Sequence, residues 1–579
     1  MTEDSKVSAA SAAQGGENPR DPDAHAFSVR AQREQALLSS VFCPLSSDRP
    51  VYIRRSAHVS ALGLSAVAAA RAFWAGECPA RWRDLPEARY PCFALPLKET
   101  AWSARLSRAI AAIKAELRVD LAELPLFLGS SSLHIGALEE NARATGRAEL
   151  SPAADIGAEI AALLGARTMP WMFSTGCSSG LAALETAFLL IRQGRIDQAL
   201  ALGFEFANDA TLAGFASLGL LAPDTNADGL MLGEAVGALL LSADPGDGAV
   251  WRVDACRLGL DAYSPTAPTP DGGVIAANLA AALADARVTA ADIDLIKPHQ
   301  GRIPATDAAE EAALARVFGR KRPPEITLKR QIGHTLGASG PAELTLLLAL
   351  LATPDGIRRY GQPQRLLFNL VGFGGSIAAL VVSKDRGRKT GDDKISSAAP
   401  QEKGKVAGQE VFSQPDGASA PVMLLSSEAL AARARRISAV SLRRAGALAE
   451  MALVGAAACL ADQPAAPTLV LLGSRSGMDA AALRLIGDVA LARELPFPFD
   501  FLATQPILAA IPAQQTFPCI ANLLYQPWSD DAELHWQRMQ SLAAAWIKAG
   551  RCERVLCGEV EPTADGVQGR WQVVENGLS

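Results

Sequence analysis

Residues 169–195 read MPWMFSTGCSSGLAALETAFLLIRQGR. An apolar strand runs into Ser174-Thr175-Gly176, Cys177 follows, and Leu181 to Ile191 are apolar almost all round a helix, the pattern of an element buried on every side. Cys177 therefore falls at a strand-to-helix turn, beside the unpaired N–H groups and positive end of a buried helix. That position is expected to lower the thiol pKa and favour a nucleophile. Gly176 and Gly180 permit a tight bend and close backbone approach. Taken alone, the segment also fits a structural cysteine at a tight turn.

Outward from this stretch, short apolar runs such as PLFLG (125–129), QALALG (198–203) and VGALLLS (236–242) alternate with Ala- and Leu-rich helical stretches. Strands alternating with helices from Val51 onward predict an α/β fold. The chain has 579 residues, enough for about three or four structural units. Hydrophobic residues make up 49% and charged residues 20%, a globular balance that excludes global disorder. A net charge of -6 lacks the positive field that non-specific nucleic-acid binding needs. The run LTLLLALLA (344–352) is about half the ~20 residues that cross a bilayer, and reads as a buried helix. The N-terminal MTEDSKVSAASAAQGGENPRDPDAHAF lacks an apolar core of the secretory type; a soluble cytoplasmic protein is expected. Nine cysteines without CxxC pairs, from Cys43 to Cys557, predict reduced thiols rather than a disulfide framework or a structural zinc site.

Residues 1–48 read as a disordered leader, with a short helix around Ala31 to Leu38, and 385–420 as a flexible polar linker. Beyond the linker, residues 421–579 partly repeat the first region. PLFLGSSS (125–132) recurs as TLVLLGSRS (468–476), TMPW (168–171) as TFPC (516–519), and LIRQGR (190–195) as WIKAGR (546–551). The order is preserved, which exposes duplicated architecture. This alignment sets Cys519 opposite Trp171 on a strand and puts the nucleophile's place between Tyr525 and Glu533. His535 reads as structural.

The chain contains six histidines, and two lie in loop contexts: His299 in LIKPHQGRIPATDAAE and His334 in TLKRQIGHTLGASGPAE. Each follows a strand-like run, so each is expected at a strand end, where ligands bind in α/β sheets. One cysteine with two distant histidines fits thiol nucleophile chemistry with imidazole partners. Metal binding is the competing reading, but no HxH, HExxH or CxxC spacing organises ligands, so no metal is assigned.

These residues resemble the β-ketoacyl synthases of the thiolase-like fold over about residues 50–384. The landmarks stand in family order: STGCSSG (174–180), DGLMLGEAVGALLL (228–241), His299 with Pro304, Asp307 and Glu310, LKRQIGHTLGASGPAE (328–343) and NLVGFGGS (369–376). The resemblance implies a duplicated, layered αβαβα fold, with halves at 49–245 and 246–384, plus an extra half-thiolase α/β domain at 421–579. It implies decarboxylative Claisen condensation of an acyl-Cys177 intermediate with a malonyl unit. His299 and His334 would bind the malonyl thioester carbonyl, and the backbone N–H groups of Cys177 and Phe373 would form the oxyanion hole. Lys329 and Glu343 would support the histidines, a surface ion pair being their alternative. No bound cofactor is implied: substrates ride on the phosphopantetheine of an acyl carrier protein, the expected partner.

The chain departs from the family at the loop usually read HGTGTP, here His299-Gln300-Gly301-Arg302-Ile303-Pro304, which lacks two threonines that contact the pantetheine arm. Arg302 reads as a solvated loop arginine in preference to one that meets a phosphate or acidic group. Residues 421–579 resemble a degenerate chain-length factor cut to its N-terminal half. They are expected to take the partner's place in cis as a pseudo-dimer, the alternative being an ordinary homodimer. Two other functions remain open: a non-catalytic scaffold for another synthase, and a biosynthetic thiolase-type condensing enzyme, which usually has a second Cys in place of one His.

Overall fold

The structure, a computed structural model, describes residues 49–246, 251–385, 422–442, 446–461, 465–475, 479–528 and 531–575. The expected leader, and the expected linker apart from residue 385, lie outside the described residues.

The first half contains β1 (Val51–Ser60), a hairpin of β2 (Arg81–Asp84) and β3 (Arg89–Cys92), helix α1 (Trp102–Leu117), β4 (Leu126–Gly129), β5 (Trp171–Phe173), helix α2 (Ser179–Arg192), β6 (Gln198–Glu205) and β7 (Ala235–Ser242). Its main sheet runs β5-β4-β6-β7-β1. β5, β4 and β6 are parallel, while β7 and β1 are antiparallel additions. The second half follows with β8 (Trp251–Leu260), helix α3 (Gly273–Asp285), β9 (Leu295–Lys297), helix α4 (Pro304–Phe318), helix α5 (Ser339–Leu351), β10 (Arg365–Val371) and β11 (Ser376–Lys384). Its order, β9-β10-β11-β8, repeats the pattern, with a single parallel bridge from Ile296 to Glu325 in place of the fifth strand. Val51–Ile53 pair with Trp251–Val253 and join the halves into one nine-stranded sheet.

Alternation along the strands explains the layers, because successive side chains point to opposite faces. Leu126 and Leu128 face an outer core with Leu106, Ile110 and Ile113 of α1, while Phe127 faces the central core with α2. The second half has its own outer core, where Ile275 and Leu279 of α3 meet Leu367 and Ile377. Between the halves lie α2 and α5, and glycine lets their first turns meet: Gly180 lies against Pro341, and Gly340 against Leu181. The run LTLLLALLA lies within and just beyond α5 and is almost wholly buried. Among the described residues no single helix is long and apolar enough to cross a membrane. The layered fold expected from the sequence is present.

The chain after residue 421 supplies β12 (Val422–Leu425), helix α6 (Ser427–Ile437), helix α7 (Gly446–Leu460), β13 (Thr468–Ser474), β14 (Ile520–Pro527), helix α8 (Ala532–Lys548), β15 (Arg554–Thr563) and β16 (Gly566–Glu575). Its sheet, β14-β13-β15-β16-β12, has the same order and the same pattern of parallel and antiparallel pairs as β5-β4-β6-β7-β1. One half-fold thus occurs three times. β13 holds the place of β4 and α8 that of α2, and each of these two helices is followed by a glycine at positive φ, Gly194 and Gly550.

The TMPW/TFPC alignment is displaced. Gly129 pairs with Phe173, whereas its counterpart Gly473 pairs with Gln526, so Trp171 is matched by Leu524. Cys519 falls before the strand, where its carbonyl accepts the Thr468 N–H at 2.8 Å. Helical structure continues to Thr516 in this copy, and the strand therefore starts later than the motif suggests.

The third half packs against the first two. Its Leu469, Leu471, Leu524, Trp536 and Trp546 belong to the same buried cluster as α2. The Ser174 N–H donates to Tyr525 O at 3.0 Å, Gln193 Nε2 to Ala545 O at 2.7 Å, and Arg538 Nη2 to Met169 O at 2.8 Å. Arg551 reaches Glu185 at 3.0 Å and also pairs with Asp285.

Candidate active site

Three equivalent helix starts, at α2, α5 and α8, carry different chemistry. Before α2, Gly176 has φ +63° and turns the chain so that Cys177 lies in the middle of a 3-10 turn, Gly176–Ser178. Two serines hold that turn: Ser179 Oγ accepts the Thr175 N–H at 2.9 Å, and Ser178 Oγ donates to Thr175 O at 2.9 Å. No side chain caps α2. The Cys177 sulfur instead faces two backbone N–H groups, its own and that of Phe373.

The expected lowering of the Cys177 pKa is corrected by burial. Cys177 is 3% exposed, and desolvation pushes its thiol up to about 11. The Phe373 N–H, Lys329 and the Cys177 N–H act in the expected direction, while Glu205 opposes them. Loss of hydration outweighs the helix end, so the resting group is the neutral thiol.

The turn of Cys177 packs against Leu336–Ala338, which follows His334 and precedes α5. The rings of His334 and His299 lie 5.3 Å apart, edge to face. Both imidazoles are held well below their ordinary pKa, by burial first and by Lys329 second, and are therefore neutral. The Leu336 N–H donates to His334 Nδ1 at 3.0 Å, which fixes that nitrogen as an acceptor and leaves the proton on Nε2. His299 follows β9 as expected, and its backbone N–H donates to Glu310 at 2.6 Å. Asn369 also donates to Glu310, at 2.6 Å, so NLVGFGGS supports the histidine as well as presenting Phe373. The run before His334 is a correction: Lys329–Ile332 form a helical turn rather than a strand.

Lys329 and Glu343 are not a surface pair. They are 3% and 0% exposed and meet at 2.6 Å. Sequence reasoning missed Lys297, at the end of β9, which pairs with the same carboxylate from a buried position. Burial holds Lys297 well below its ordinary pKa and brings Lys329 down to about 8. Glu205 was missed too. Buried at the end of β6, it accepts the N–H groups of Ser131 (3.0 Å), Ser132 (3.1 Å) and Gly337 (2.9 Å), and so ties the 130–132 loop to the turn after His334. The available signal was a carboxylate closing the apolar run LALGFEF.

In the loop His299–Pro304, Gln300 and Arg302 adopt φ +39° and +67°, the region that favours glycine. They occupy the two places where the family sequence has glycine, and side-chain bonds hold them there. Gln300 Oε1 accepts from Thr327 Oγ1. Arg302 Nη1 donates to Thr225 O at 2.9 Å, and Nη2 to Ala227 O. Arg302 is thus a strap across the loop, in place of the expected solvated arginine.

The third copy's helix start is capped by a side chain. Asp531 caps α8 by accepting the Leu534 N–H at 2.9 Å, and Trp528 to Asp531 include no cysteine. His535 is buried, stacked on Trp528 at 5.8 Å. Where this half meets the first, a cavity of about 60 Å³ is bordered by Ser131, His134 and Ser174 on one side and by Thr504, Pro506 and Tyr525 on the other. Among the described residues no cluster of His, Cys, Asp and Glu is arranged to hold a metal ion.

Residues 118–245 match the model of the beta-ketoacyl synthase N-terminal domain, and 252–354 that of the C-terminal domain. 3-Oxoacyl-[acyl-carrier-protein] synthase 2 of Vibrio cholerae is 26% identical over 271 residues, 40% of this chain and 66% of that protein. Pikromycin polyketide synthase component PikAII of Streptomyces venezuelae is 32% identical over 184 residues, 29% of this chain and 5% of that protein. The chain thus spans less than two thirds of the length of these relatives. Among solved structures, the PfaC keto synthase-chain length factor covers 92% of this chain and 79% of its own, at 14% identity and TM-score 0.63. The AntDE:AntF complex, a type II acyl-carrier protein with its ketosynthase, covers 58% and 99%, at 20% identity and TM-score 0.51. At these identities the two structures show a shared fold.

Proposed function

This chain belongs, through residues 118–245 and 252–354, to the β-ketoacyl synthase family, and we propose that it catalyses decarboxylative condensation of an acyl group held on Cys177 with a carrier-bound malonyl unit. One observation carries the reading: a buried thiol facing two backbone N–H donors, beside two neutral imidazoles.

In the first step the Cys177 sulfur attacks the thioester carbonyl of an acyl carrier protein. The tetrahedral oxyanion accepts the N–H groups of Cys177 and Phe373. The carbonyl re-forms, the pantetheine thiolate leaves, and it takes up the proton given by the thiol. Because the resting thiol is neutral, the proton must leave within this step, and the oxyanion donors carry most of the stabilisation. In the second step the malonyl thioester carbonyl sits between His299 and His334. The bond to the carboxylate breaks, carbon dioxide departs, and its electron pair passes into an enolate whose oxygen accepts the imidazole N–H donors. Neutral rings suit this, since they stabilise the charge by hydrogen bonding without first protonating the carbonyl. The enolate carbon then attacks the acyl-Cys177 carbonyl, the C–S bond breaks, the 3-oxoacyl product leaves on its carrier, and the Cys177 thiolate takes a proton from water to return to the resting thiol. Burial keeps both rings neutral with Lys329 adding to it, and Lys329 acts in the direction that stabilises the Cys177 thiolate as it leaves.

The third half supplies the partner's surface in cis, as a degenerate chain-length factor would, and borders the cavity beside Ser174. Its lack of a cysteine at the helix start supports a non-catalytic role. The test is intact-mass measurement after mixing the full chain with a panel of acyl-carrier proteins. We expect one acyl adduct, mapping to Cys177 and absent from Cys177→Ser. No adduct from any carrier, or the main adduct on Cys92 or Cys519, would refute the reading.

A further inference from the structure

Resting on the synthase reading above, we propose that the third half positions the oxyanion hole, with Ile507 and Phe501 as positioning residues for acyl transfer at Cys177. Each oxyanion donor adjoins a glycine at positive φ: Gly176, at +63°, precedes Cys177, and Gly374, at +77°, follows Phe373. These are the softest points of the backbone in the site, because neither residue has a side chain to anchor it. The face where those side chains would stand is covered by the third half at Gly374, and at Gly176 by Phe373 O of the synthase, 2.9 Å from a built methyl, with the third half behind it. A methyl group built on Gly374 would lie 2.5 Å from Ile507 Cγ2, and one built on Gly176 would lie 3.4 Å from the same atom. Ile507 is 1% exposed and belongs to a 3-10 turn, Pro506–Ala509. A single methyl thus packs against both donor segments.

Phe501 fixes the neighbouring ring. Phe373 lies 6.2 Å from Phe501 and 5.5 Å from Phe215, and Phe501 lies edge-on to Phe215 at 5.0 Å. Gly214 admits Phe501 against the backbone. The synthase itself holds the Phe373 strip through Gly372 N–H to Ser376 O at 2.6 Å, Gly374 N–H to Pro265 O at 2.9 Å and Asp261 N–H to Gly375 O at 2.7 Å, and through the Phe215 ring, and the third half adds the cover over Gly374. Oxyanion donors act only when aimed where charge develops, and displacements of about 1 Å cost on the order of 100-fold. A cover that stops two glycines from moving therefore acts on the rate.

The experiment compares two reactions of Cys177 in the full chain, each resolved by peptide mapping because Cys78 is exposed. Acetyl transfer, from p-nitrophenyl acetate and from an acetyl-carrier thioester, passes through an oxyanion. Alkylation by iodoacetamide does not. Ile507→Ala removes Cγ2 and is expected to slow acetyl transfer about 10- to 100-fold, with alkylation within about twofold of wild type. Ile507→Val keeps Cγ2 and is expected to restore acetyl transfer. Equal loss of both reactions, or acetyl transfer within about twofold in Ile507→Ala, would overturn the proposal. If Ile507→Ala does not fold, Phe501→Leu is held to the same pair of rates. Should wild type react with the ester but not with the carrier, the synthase reading fails, while the ratio measured on the ester still decides the positioning role. No acetyl transfer from either donor overturns both.

Discussion

The starts of α2 and α8 occupy the same place in two copies of one half-fold, and they differ in what meets the helix's free N–H groups. At α8 a side chain does: Asp531 caps the helix. At α2 no side chain caps the helix, and the N–H groups that the Cys177 sulfur faces are its own and that of Phe373. A cap contributes about 1 kcal/mol of stability. The start of α5 is intermediate, with its turn held by Glu205 and by His334 Nδ1. The fold therefore provides the position, and the few residues before the helix decide whether it carries a cysteine, a buried histidine or a capping aspartate.

If the silent half is a working part of the molecule, cutting its charged tie should cost more than trimming a surface. Arg551 is 5% exposed beside Glu185, which is 0% exposed. At about pH 8, where Glu185, raised by burial to about 7, is ionised, we expect Arg551→Ala to lose about 3–5 kcal/mol, because an uncompensated buried carboxylate remains, and paired replacement as Glu185→Leu with Arg551→Met to recover most of it. Urea unfolding of the full chain measures both. A loss below about 1 kcal/mol would make the third half a loosely tethered remnant.

The same contact predicts a pH effect of intermediate size. Burial raises Glu185 from 4.5 to about 7, against the opposing pull of Arg551 and Arg257 and with that of Asp285. The folded chain keeps a proton that the unfolded chain releases. The stability from this group is thus complete below about pH 4.5 and falls as pH rises toward 7, by a few kcal/mol at most. Thermal unfolding between pH 5 and pH 8 should show the decline, and Glu185→Gln should flatten it. An unchanged slope in the variant would remove Glu185 from the account.

The smallest effect isolates the comparison itself. Asp531→Ala should cost about 1 kcal/mol and leave acyl transfer at Cys177 within about twofold. A large loss of activity in this variant would show that the capped start is not silent.

The strands, the Cys177 turn and the two histidines were legible in the sequence because they depend on local pattern: apolar runs, a glycine-flanked turn, and histidines set in loops. What was not legible depends on distant partners. Lys297 looks like the solvated end of a short strand until Glu343 arrives from α5. Glu205 shows its role only when Ser131 and Gly337 are seen to converge on it. The sign of the Cys177 shift was misread because a helix end is visible in sequence while complete burial by two other halves is not. The TMPW/TFPC alignment failed for a local reason, since helix extends to Thr516 and delays β14.

In the proposed reaction the two helix starts of the synthase divide the labour, one holding the acyl group and one driving decarboxylation. This division is tested most directly by measuring acyl loading of Cys177 and carbon dioxide release from malonyl-carrier protein separately, in wild type, His299→Ala and His334→Ala. We expect loading within about threefold of wild type and decarboxylation lowered about 10²- to 10³-fold in each variant. Equal loss of the two steps in folded protein, or undiminished carbon dioxide release, would contradict it.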